Sequence, residues 1–197
     1  MTPQPKEIVR RDKIIVVDIE ATCWIDEPPP GQDFEIIEVG VSVFDMKTRT
    51  PSPPVSILVK PTISTVSEFC TSLTTLTQAL VDTGVTFAAA CARLQAEFDT
   101  KQFMWASWGN YDYEMFKSQC HRFGVEYPFS GRHMNFKTMF AQAYNNKARV
   151  GMAEALNKAG LTIEGTHHRG GDDAYNIARI LGVVLEKHGD DVLLKYW

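Results

Sequence analysis

The feature that most constrains the fold is a set of three apolar segments spaced closely along the first sixty residues. Residues 13–17 form a short apolar run, residues 36–44 alternate as IIEVGVSVF, and residues 55–59 follow a proline-rich turn. Short apolar or alternating runs bounded by turn residues are typical of β-strands. Because the connections are short, neighbouring strands pair antiparallel, so these segments predict a three-stranded meander.

After Pro61 the chain changes to helical periodicity, with one further strand predicted at residues 103–107. Apolar residues recur at three- and four-residue spacing, and Thr86 is a candidate helix cap. The predicted helices are residues 72–81, 86–98, 112–123, 138–145, 150–159 and 172–188. This order of elements predicts an α/β domain with a mixed central β-sheet, the antiparallel meander plus further strands, flanked by α-helices.

A chain of 197 residues fits one compact domain better than two. We expect residues 1–12 to be a flexible lead-in and residues 13–197 to be a single domain. No apolar run approaches the roughly 18 residues that span a bilayer. Residues 1–13 also lack the apolar stretch of a secretory signal. The expected location is therefore the cytosol, with no membrane partner.

Cysteine usage agrees with a reducing compartment. The four cysteines lie far apart in the sequence and form neither a C-x-x-C pair nor a zinc-like spacing. We expect them to be small, mostly buried thiols. Cys23 is the exception to follow, because it comes just after an acidic motif.

The charge distribution is more informative than the net charge of −4. Residues 117–169 contain eight basic and three acidic side chains, with four histidines in addition. Phosphate binding requires local rather than global positive charge, so this segment is compatible with a nucleic-acid partner. A solvated basic face explains the same charge equally well. A modest patch predicts weak, salt-sensitive contact with few phosphates.

An acidic pair, Asp18 and Glu20, lies at the end of the first predicted strand. Side chains two residues apart on a strand point to the same face, so the two carboxylates lie together. Two such groups repel each other and are costly to desolvate without a cation. Carboxylate oxygens suit Mg²⁺ or Mn²⁺. Taken alone, an accidental and solvated D-x-E at a strand end is the more common explanation.

A further acid, Asp112, follows the strand at residues 103–107 and a tight turn, and it opens a helix. An aspartate at this position is ordinarily a helix cap. A catalytic role requires that Asp112 face the same cleft as the strand that carries Asp18.

The segment THHRGGDD at residues 166–173 places histidines on a glycine-containing loop before an acidic pair that opens the longest predicted helix. His167 precedes Asp172 by five residues, and His168 precedes Asp173 by the same spacing. Both pairs therefore remain open on spacing alone. An imidazole titrates near neutrality and can take a proton from water whose pKa a metal has lowered.

Other common catalytic patterns are absent from the sequence. It contains no G-x-x-x-x-G-K-[ST] loop, no G-x-G-x-x-G, no G-x-S-x-G and no H-E-x-x-H. The commonest types of NTPase, dehydrogenase, serine hydrolase and zinc protease are therefore excluded.

The order D-x-E, a central D, and H-x4-D resembles the DEDDh 3′→5′ exonucleases. The likeness covers residues 13–183. Within these exonucleases, the chain resembles the histone-mRNA and enhanced-RNAi branch, to which bacterial KapD-type relatives also belong. The segments that carry it are VVDIEATCW (16–24), EIIEVGVSVFD (35–45), SEFCTSLTTLTQALVD (67–82), WGNYDYEMF (108–116) and HRGGDDAYNIARI (168–180). Ile19 stands where phenylalanine is common in this branch, and Thr75 stands where its LTGIT motif has glycine.

The resemblance implies an RNase H-like fold with two Mg²⁺ ions, for which Mn²⁺ can substitute. By motif position, the four implied metal ligands are Asp18, Glu20, Asp112 and Asp173. His168 is the implied general base. Asp172 is then left as a cap or supporting acid, and His167 has no assigned role.

The implied activity is 3′→5′ hydrolysis of single-stranded or 3′-overhanging RNA, favoured over DNA, releasing nucleoside 5′-monophosphates. Family members grip the terminal nucleotide at positions that correspond here to Thr22, Cys23, Trp24 and Leu76. The alternatives are a proofreading exonuclease for a DNA polymerase and a non-catalytic RNA-binding module. The complete acidic set disfavours the non-catalytic module.

Overall fold

The structure, a computed structural model, describes residues 9–145 and 148–197. The strands in this part of the chain are β1 (Arg10–Ala21), β2 (Ile36–Asp45), β3 (Thr50–Pro51), β4 (Val55–Leu58), β5 (Phe103–Ser107) and β6 (His133–Asn135). The α-helices are α1 (Glu68–Thr74), α2 (Gln78–Val81), α3 (Phe87–Phe98), α4 (Tyr111–Phe123), α5 (Phe136–Ala143), α6 (Met152–Ala159) and α7 (Gly170–His188). None of the described helices is long and apolar enough to cross a membrane.

The strands form one mixed sheet in the order β3-β2-β1-β5-β6, and β4 also pairs with β2. β1 pairs antiparallel with β2, and β2 pairs antiparallel with β4, which confirms the predicted meander. β5 and β6 continue the sheet in the parallel direction. β6 was not predicted, because three residues with one buried side chain carry no readable period.

Strand β1 is central and both of its faces are covered. Ile14 and Val16 pack into a cluster with apolar residues of α5, α6 and α7. Ile15 and Val17 point to the opposite face and pack against α3 and α4. Because side chains alternate along a strand, Asp18 continues the face that α7 covers. The long apolar run of β1 is thus explained by burial on both sides.

The predicted helix at residues 72–81 is wrong, because two short helices occupy this region. Ser67 caps α1 by accepting a hydrogen bond from the Cys70 N–H at 2.9 Å. Helix α1 ends at Thr74 and is followed by the C-cap Thr75, whose φ of 65° is left-handed. Thr77 then caps α2 by accepting from the Leu80 N–H. Competing hydroxyl caps therefore divide a segment whose apolar spacing resembles one helix.

Other boundaries differ by one to four residues from the expected ones. Helix α5 begins at Phe136 rather than at residue 138, because the Asn135 side chain caps it. The cap predicted at Thr86 is confirmed. β1 begins at Arg10, inside the segment expected to be a lead-in. Residues 1–8 lie outside the described residues, so the lead-in and the domain limits stay predictions.

Helix α7 begins directly against strand β2. A Cβ atom added at Gly40 would overlap the backbone carbonyl of Gly170. Gly40 is also the residue that pairs with Asp18 across β1 and β2. The two glycines therefore bring the first turn of α7 beside the acidic end of β1. The sequence places Gly170 in a glycine-containing loop, whereas in the structure this residue begins α7 and permits a close approach of backbones.

Replacing Gly40 by alanine is expected to destabilise the protein by about 1–3 kcal/mol, as overpacking does, because the methyl group meets backbone. The measurement is the free energy of unfolding in urea. Gly151→Ala is the matched control, since an added Cβ at Gly151 has no neighbour within 4 Å. Gly151→Ala is expected to show only the smaller cost of alanine at the N-cap of α6. A Gly40→Ala variant as stable as the wild type would contradict the close approach.

Replacing Thr75 by glycine is expected to stabilise the protein by roughly 0.5–1 kcal/mol. The left-handed conformation costs an L-residue about 1–2 kcal/mol, and the extra entropy of glycine offsets part of the gain. Thr75 is exposed, so little packing is lost. Ser72→Gly, in the same helix at ordinary φ, is expected to lower the free energy of unfolding instead. Loss of stability in Thr75→Gly would refute this explanation.

Candidate active site

The acidic pair of β1 lies at the end of the strand, on the face covered by α7. Asp18 pairs with Gly40 and Glu20 pairs with Glu38 of β2. Glu20 is only 8% exposed, and Asp18 is half-buried. The alternation of β1 therefore places both carboxylates on one side, as the spacing predicted.

Asp112 reaches the same place from the first turn of α4. The backbone N–H of Ile19 donates a hydrogen bond to Asp112 Oδ1 at 3.0 Å. Ile19 lies between the two acids of β1, so this bond fixes Asp112 beside them. The side chain of Asn110, the residue at the start of α4, makes no capping bond. Asp112 is thus used for a contact to β1 rather than as the cap of its own helix.

Asp173 comes from the first turn of α7, where its neighbours orient it. The backbone N–H of His168 donates to Asp173 Oδ2 at 3.0 Å. Oxygen atoms of Asp18, Glu20 and Asp173 lie within 4.8 Å of one another. Asp172 points elsewhere and accepts a hydrogen bond from the Thr166 N–H at 2.7 Å. The first turn of α7 therefore uses its two aspartates differently.

The acids perturb one another. Burial, followed by the charge of Asp112, holds the pKa of Asp18 well above its ordinary value. Burial and the charges of Asp173 and Glu38 raise the pKa of Glu20 to about 8. Burial also raises the pKa of Asp112 to about 6. Buried carboxylates that repel each other are stabilised by a hard cation with oxygen ligands, so these residues fit Mg²⁺ or Mn²⁺.

The two histidines stack beside Asp173. Their ring centroids are 4.0 Å apart with planes inclined by 22°. His167 Nδ1 lies 3.0 Å from Asp173 Oδ2, whereas His168 contacts this carboxylate through its backbone N–H. The backbone of His168 has a φ of 63°. Burial, with the adjacent His167, lowers the pKa of His168.

One cleft of about 330 Å³ contains the five residues that the resemblance implied as metal ligands or base. Its remaining lining residues are Ile19, Trp108, Tyr111, Gly151, Met152 and His167. Tyr111 is 55% exposed, so its ring is accessible from solvent at this cleft. Its position directly before Asp112 was the signal that could have identified it.

Glu38 supports the loop that carries the histidines and was missed in the sequence. It is fully buried in β2 and receives two hydrogen bonds from the guanidinium of Arg169, at 2.8 and 3.2 Å. The Gly170 N–H donates to it at 2.7 Å. A lone acid inside an apolar strand was the available signal, because such a charge requires a partner.

The four residues predicted to hold a nucleotide lie outside this cleft lining. Thr22 and Leu76 are fully buried. The Thr22 hydroxyl accepts from the Glu35 N–H, and Leu76 packs in a small apolar cluster with Cys70. Cys23 and Trp24 retain partial exposure.

The predicted basic segment is partly neutralised by ion pairs. Arg169 pairs with Glu38, and Arg122 pairs with Asp33. Lys158 lies 3.5 Å from Glu154. These cations are therefore less available to phosphate than the segment's composition suggests.

The chain is similar to known nucleases along most of its length. The family model described as exonuclease, RNase_T, matches residues 15–181. Human "3′-5′ exoribonuclease 1" is 32% identical over an alignment of 185 residues that covers 89% of this chain and 53% of that protein. The "probable 3′-5′ exonuclease KapD" of Bacillus subtilis is 26% identical over 176 residues, 88% of this chain and 84% of that protein. The chain thus spans about half the length of the human relative.

A solved structure has the same fold. It is described as the nuclease domain of 3′hExo, a DEDDh family member, bound to rAMP. The TM-score is 0.81 at 29% identity, covering 89% of this chain and 92% of that chain. The match confirms the predicted RNase H-like fold with its mixed sheet and flanking helices.

Replacing Asp18 by asparagine is expected to raise the free energy of unfolding in EDTA by roughly 0.5–2 kcal/mol, the usual range for relief of an unfavourable site. One of several mutually repelling carboxylates is removed. Added Mn²⁺ or Mg²⁺ should then stabilise the original protein more than the variant. Asp191→Asn, on an exposed residue, is the control and should keep the full metal-induced gain. Equal metal-induced gains in all three proteins would contradict a metal site at Asp18.

Proposed function

Because the chain belongs to the exonuclease family described as RNase_T, we propose that it is a metal-dependent 3′→5′ exoribonuclease. It hydrolyses the terminal phosphodiester bond of single-stranded or 3′-overhanging RNA and releases nucleoside 5′-monophosphates. The observation that carries the proposal is the convergence of Asp18, Glu20, Asp112 and Asp173 on one cleft beside His168. A non-catalytic module would have no need to bury this set of repelling acids.

The four carboxylates would hold Mg²⁺, with Mn²⁺ able to substitute. Bound divalent cations supply positive charge against the phosphate and lower the pKa of the attacking water. The protein's own contribution is to fix the ligands in advance. Asp112 is held by the Ile19 N–H, and Asp173 is held by the His168 N–H. The cation ligands are therefore positioned by backbone groups of the cleft itself.

His168 would act as the general base and accept the proton of the attacking water on a ring nitrogen. Its ring lines the cleft with the acids. The stacked ring of His167 restricts its orientation. Glu38 anchors the following residues through Arg169 and Gly170, so the base is attached to a fixed point of β2.

A ribonucleotide substrate is favoured by the relatives. The human protein is named an exoribonuclease, and the related solved structure contains rAMP. Tyr111 offers an exposed ring at the cleft on which a base can stack, an interaction worth about 1–3 kcal/mol elsewhere. Cys23 and Trp24 have the exposure that direct contact needs. Thr22 and Leu76 are buried, and Leu76 packs in the cluster that also contacts Cys23, so we assign both a supporting role behind Cys23.

The cytosol is the proposed location. All four cysteines are free thiols, as expected in a reducing compartment.

Purified protein with Mg²⁺ or Mn²⁺ is expected to shorten single-stranded RNA from its 3′ end. Asp18→Asn and Asp173→Asn should abolish this, because each removes a ligand charge. His168→Ala should cost roughly 10²–10⁴ in rate, the usual contribution of a general base. The measurement is a time course on matched RNA and DNA strands labelled at the 5′ end.

Asp172→Asn is the matched control, since that carboxylate contacts the Thr166 N–H outside the acidic cluster. It should retain most of the activity. Undiminished trimming by Asp18→Asn would refute the assignment. Faster trimming of DNA than of RNA would favour a proofreading role.

A further inference from the structure

The segment of residues 162–168, directly before α7, is attached to that helix at regular intervals. The backbone N–H groups of Glu164, Thr166 and His168 are each accepted by a side chain from the first two turns of α7. The acceptors, in the same order, are Asn176 at 3.1 Å, Asp172 at 2.7 Å and Asp173 at 3.0 Å. Every second residue of this stretch is thus fixed to the helix that also carries a proposed metal ligand.

Asn176 makes the most complete of these attachments. It is fully buried. Its Nδ2 donates to the carbonyl oxygens of Glu164 and Asp172 at 2.8 and 2.9 Å. Its Oδ1 accepts from the Glu164 N–H at 3.1 Å and from the Arg179 guanidinium at 2.9 Å. A side-chain amide offers two donors and an oxygen with two lone pairs, so every hydrogen-bonding position of Asn176 is used and both polar backbone atoms of Glu164 are held.

Arg179 and Gly165 extend the attachment. Arg179 Nη1 donates to the Thr162 carbonyl oxygen at 2.8 Å, and Nη2 lies 2.8 Å from a carboxylate oxygen of Glu164. A Cβ atom added at Gly165 would overlap the Asp172 carboxylate. The lack of a side chain at Gly165 therefore lets the segment lie directly on α7.

The attached segment ends at His168, the proposed base. Its φ of 63° is left-handed, which is costly for a residue with a side chain and persists only where neighbours enforce it. Glu38 holds the residues that follow, through Arg169 and the Gly170 N–H. Asn176 holds the residues that precede it. We propose that Asn176 is a positioning residue that sets the His168 ring for proton transfer, an inference that rests on the proposed function.

This arrangement places two functional groups under the control of one helix. α7 carries Asp173, a proposed metal ligand, and three residues further on it carries Asn176, which lies outside the cleft lining. The distance between the base and the metal ligand is therefore set within one rigid element. A displacement of a reacting group by about 1 Å can cost roughly 10²-fold in rate, so a small shift of the segment has a large effect.

Amide hydrogen exchange tests the attachment without any RNA. After correction for intrinsic rates, the Glu164 N–H of the wild type is expected to exchange more slowly than the N–H groups of Ile163 and Gly165. Those two groups have no acceptor within residues 9–145 and 148–197. Asn176→Leu, which is similar in size but has no polar atoms, should remove the protection of Glu164. Equal exchange of all three amides in the wild type would overturn the proposal.

Steady-state trimming of RNA by the full chain tests the effect on the base. Asn176→Leu is expected to lower kcat by roughly 10²-fold. The KM for RNA and the Mg²⁺ concentration for half-maximal rate should stay unchanged, because the metal ligands remain in place. The same substitution in a His168→Ala background should cost nothing further, because the group that Asn176 positions is gone. A merely structural role would reduce the rate in both backgrounds equally.

Gly165→Ala is the second variant, so that the result does not depend on the folding of Asn176→Leu. It displaces the exposed segment from α7 and should also lower kcat while KM is kept. Gly160→Ala is the matched control, because its φ of 75° is close to the 78° of Gly165 but an added Cβ has no neighbour within 4 Å. It should keep the wild-type kcat. Asp172→Asn retains an oxygen that can accept the Thr166 N–H, so it remains a control with most of the activity.

The outcomes separate this inference from the proposed function. If His168→Ala trims RNA at the wild-type rate, the proposed base is refuted and the inference falls with it. If His168→Ala is impaired while Asn176→Leu and Gly165→Ala, both folded by circular dichroism, keep the wild-type kcat, the inference alone is refuted. A loss of kcat in Gly160→Ala as large as in Gly165→Ala would assign the effect to general strain and would also overturn the inference.

Discussion

The approach of α7 to β2 at Gly40 is the contact on which the rest of the site depends. No side chain separates the two backbones there, so the first turn of α7 lies beside the end of β1. Glu38 adds a directional interaction, because it accepts hydrogen bonds from both Arg169 and the Gly170 N–H. The position of Asp173, one helical turn further along, follows from these contacts. Steric fit and a buried ion pair therefore determine where the acids of β1 and α7 meet.

The cleft concentrates negative charge where the fold alone would avoid it. Burial and repulsion raise the pKa of Glu20, and burial raises the pKa of Asp112, which is a cost to the folded state. Glu38 is buried in the same region, but Arg169 compensates its charge. The contrast separates two uses of acid in one protein. Glu38 is paired within the chain and stabilises the loop. Within residues 9–145 and 148–197, no lysine or arginine forms an ion pair with the cleft acids, so these acids suit an added cation.

Local patterns were sufficient to predict most of the elements and the acids of the cleft. The alternation of β1 and β2 was readable because each strand is long and buried, and the face shared by Asp18 and Glu20 follows from the period of a strand. The break at Thr75 was not readable, since it depends on caps that compete with apolar spacing. The contacts of Glu38 and His167 also could not be read, because they join positions that only the tertiary fold brings together. The basic composition of residues 117–169 likewise did not show that Arg169 forms an ion pair with Glu38.

The origin of the three acidic elements has a consequence for when the protein acquires its site. Asp18 belongs to the first strand, Asp112 to a helix in the middle of the chain, and Asp173 to the last long helix. Domains form from the N-terminus as synthesis proceeds, and contacts between distant positions form slowly. A nascent chain that ends before α7 has an uncovered face on β1 and an incomplete acidic cluster. The emerging polypeptide therefore remains without its cleft until α7 has been synthesised. By then the ribosome has made nearly all of the residues that the structure describes.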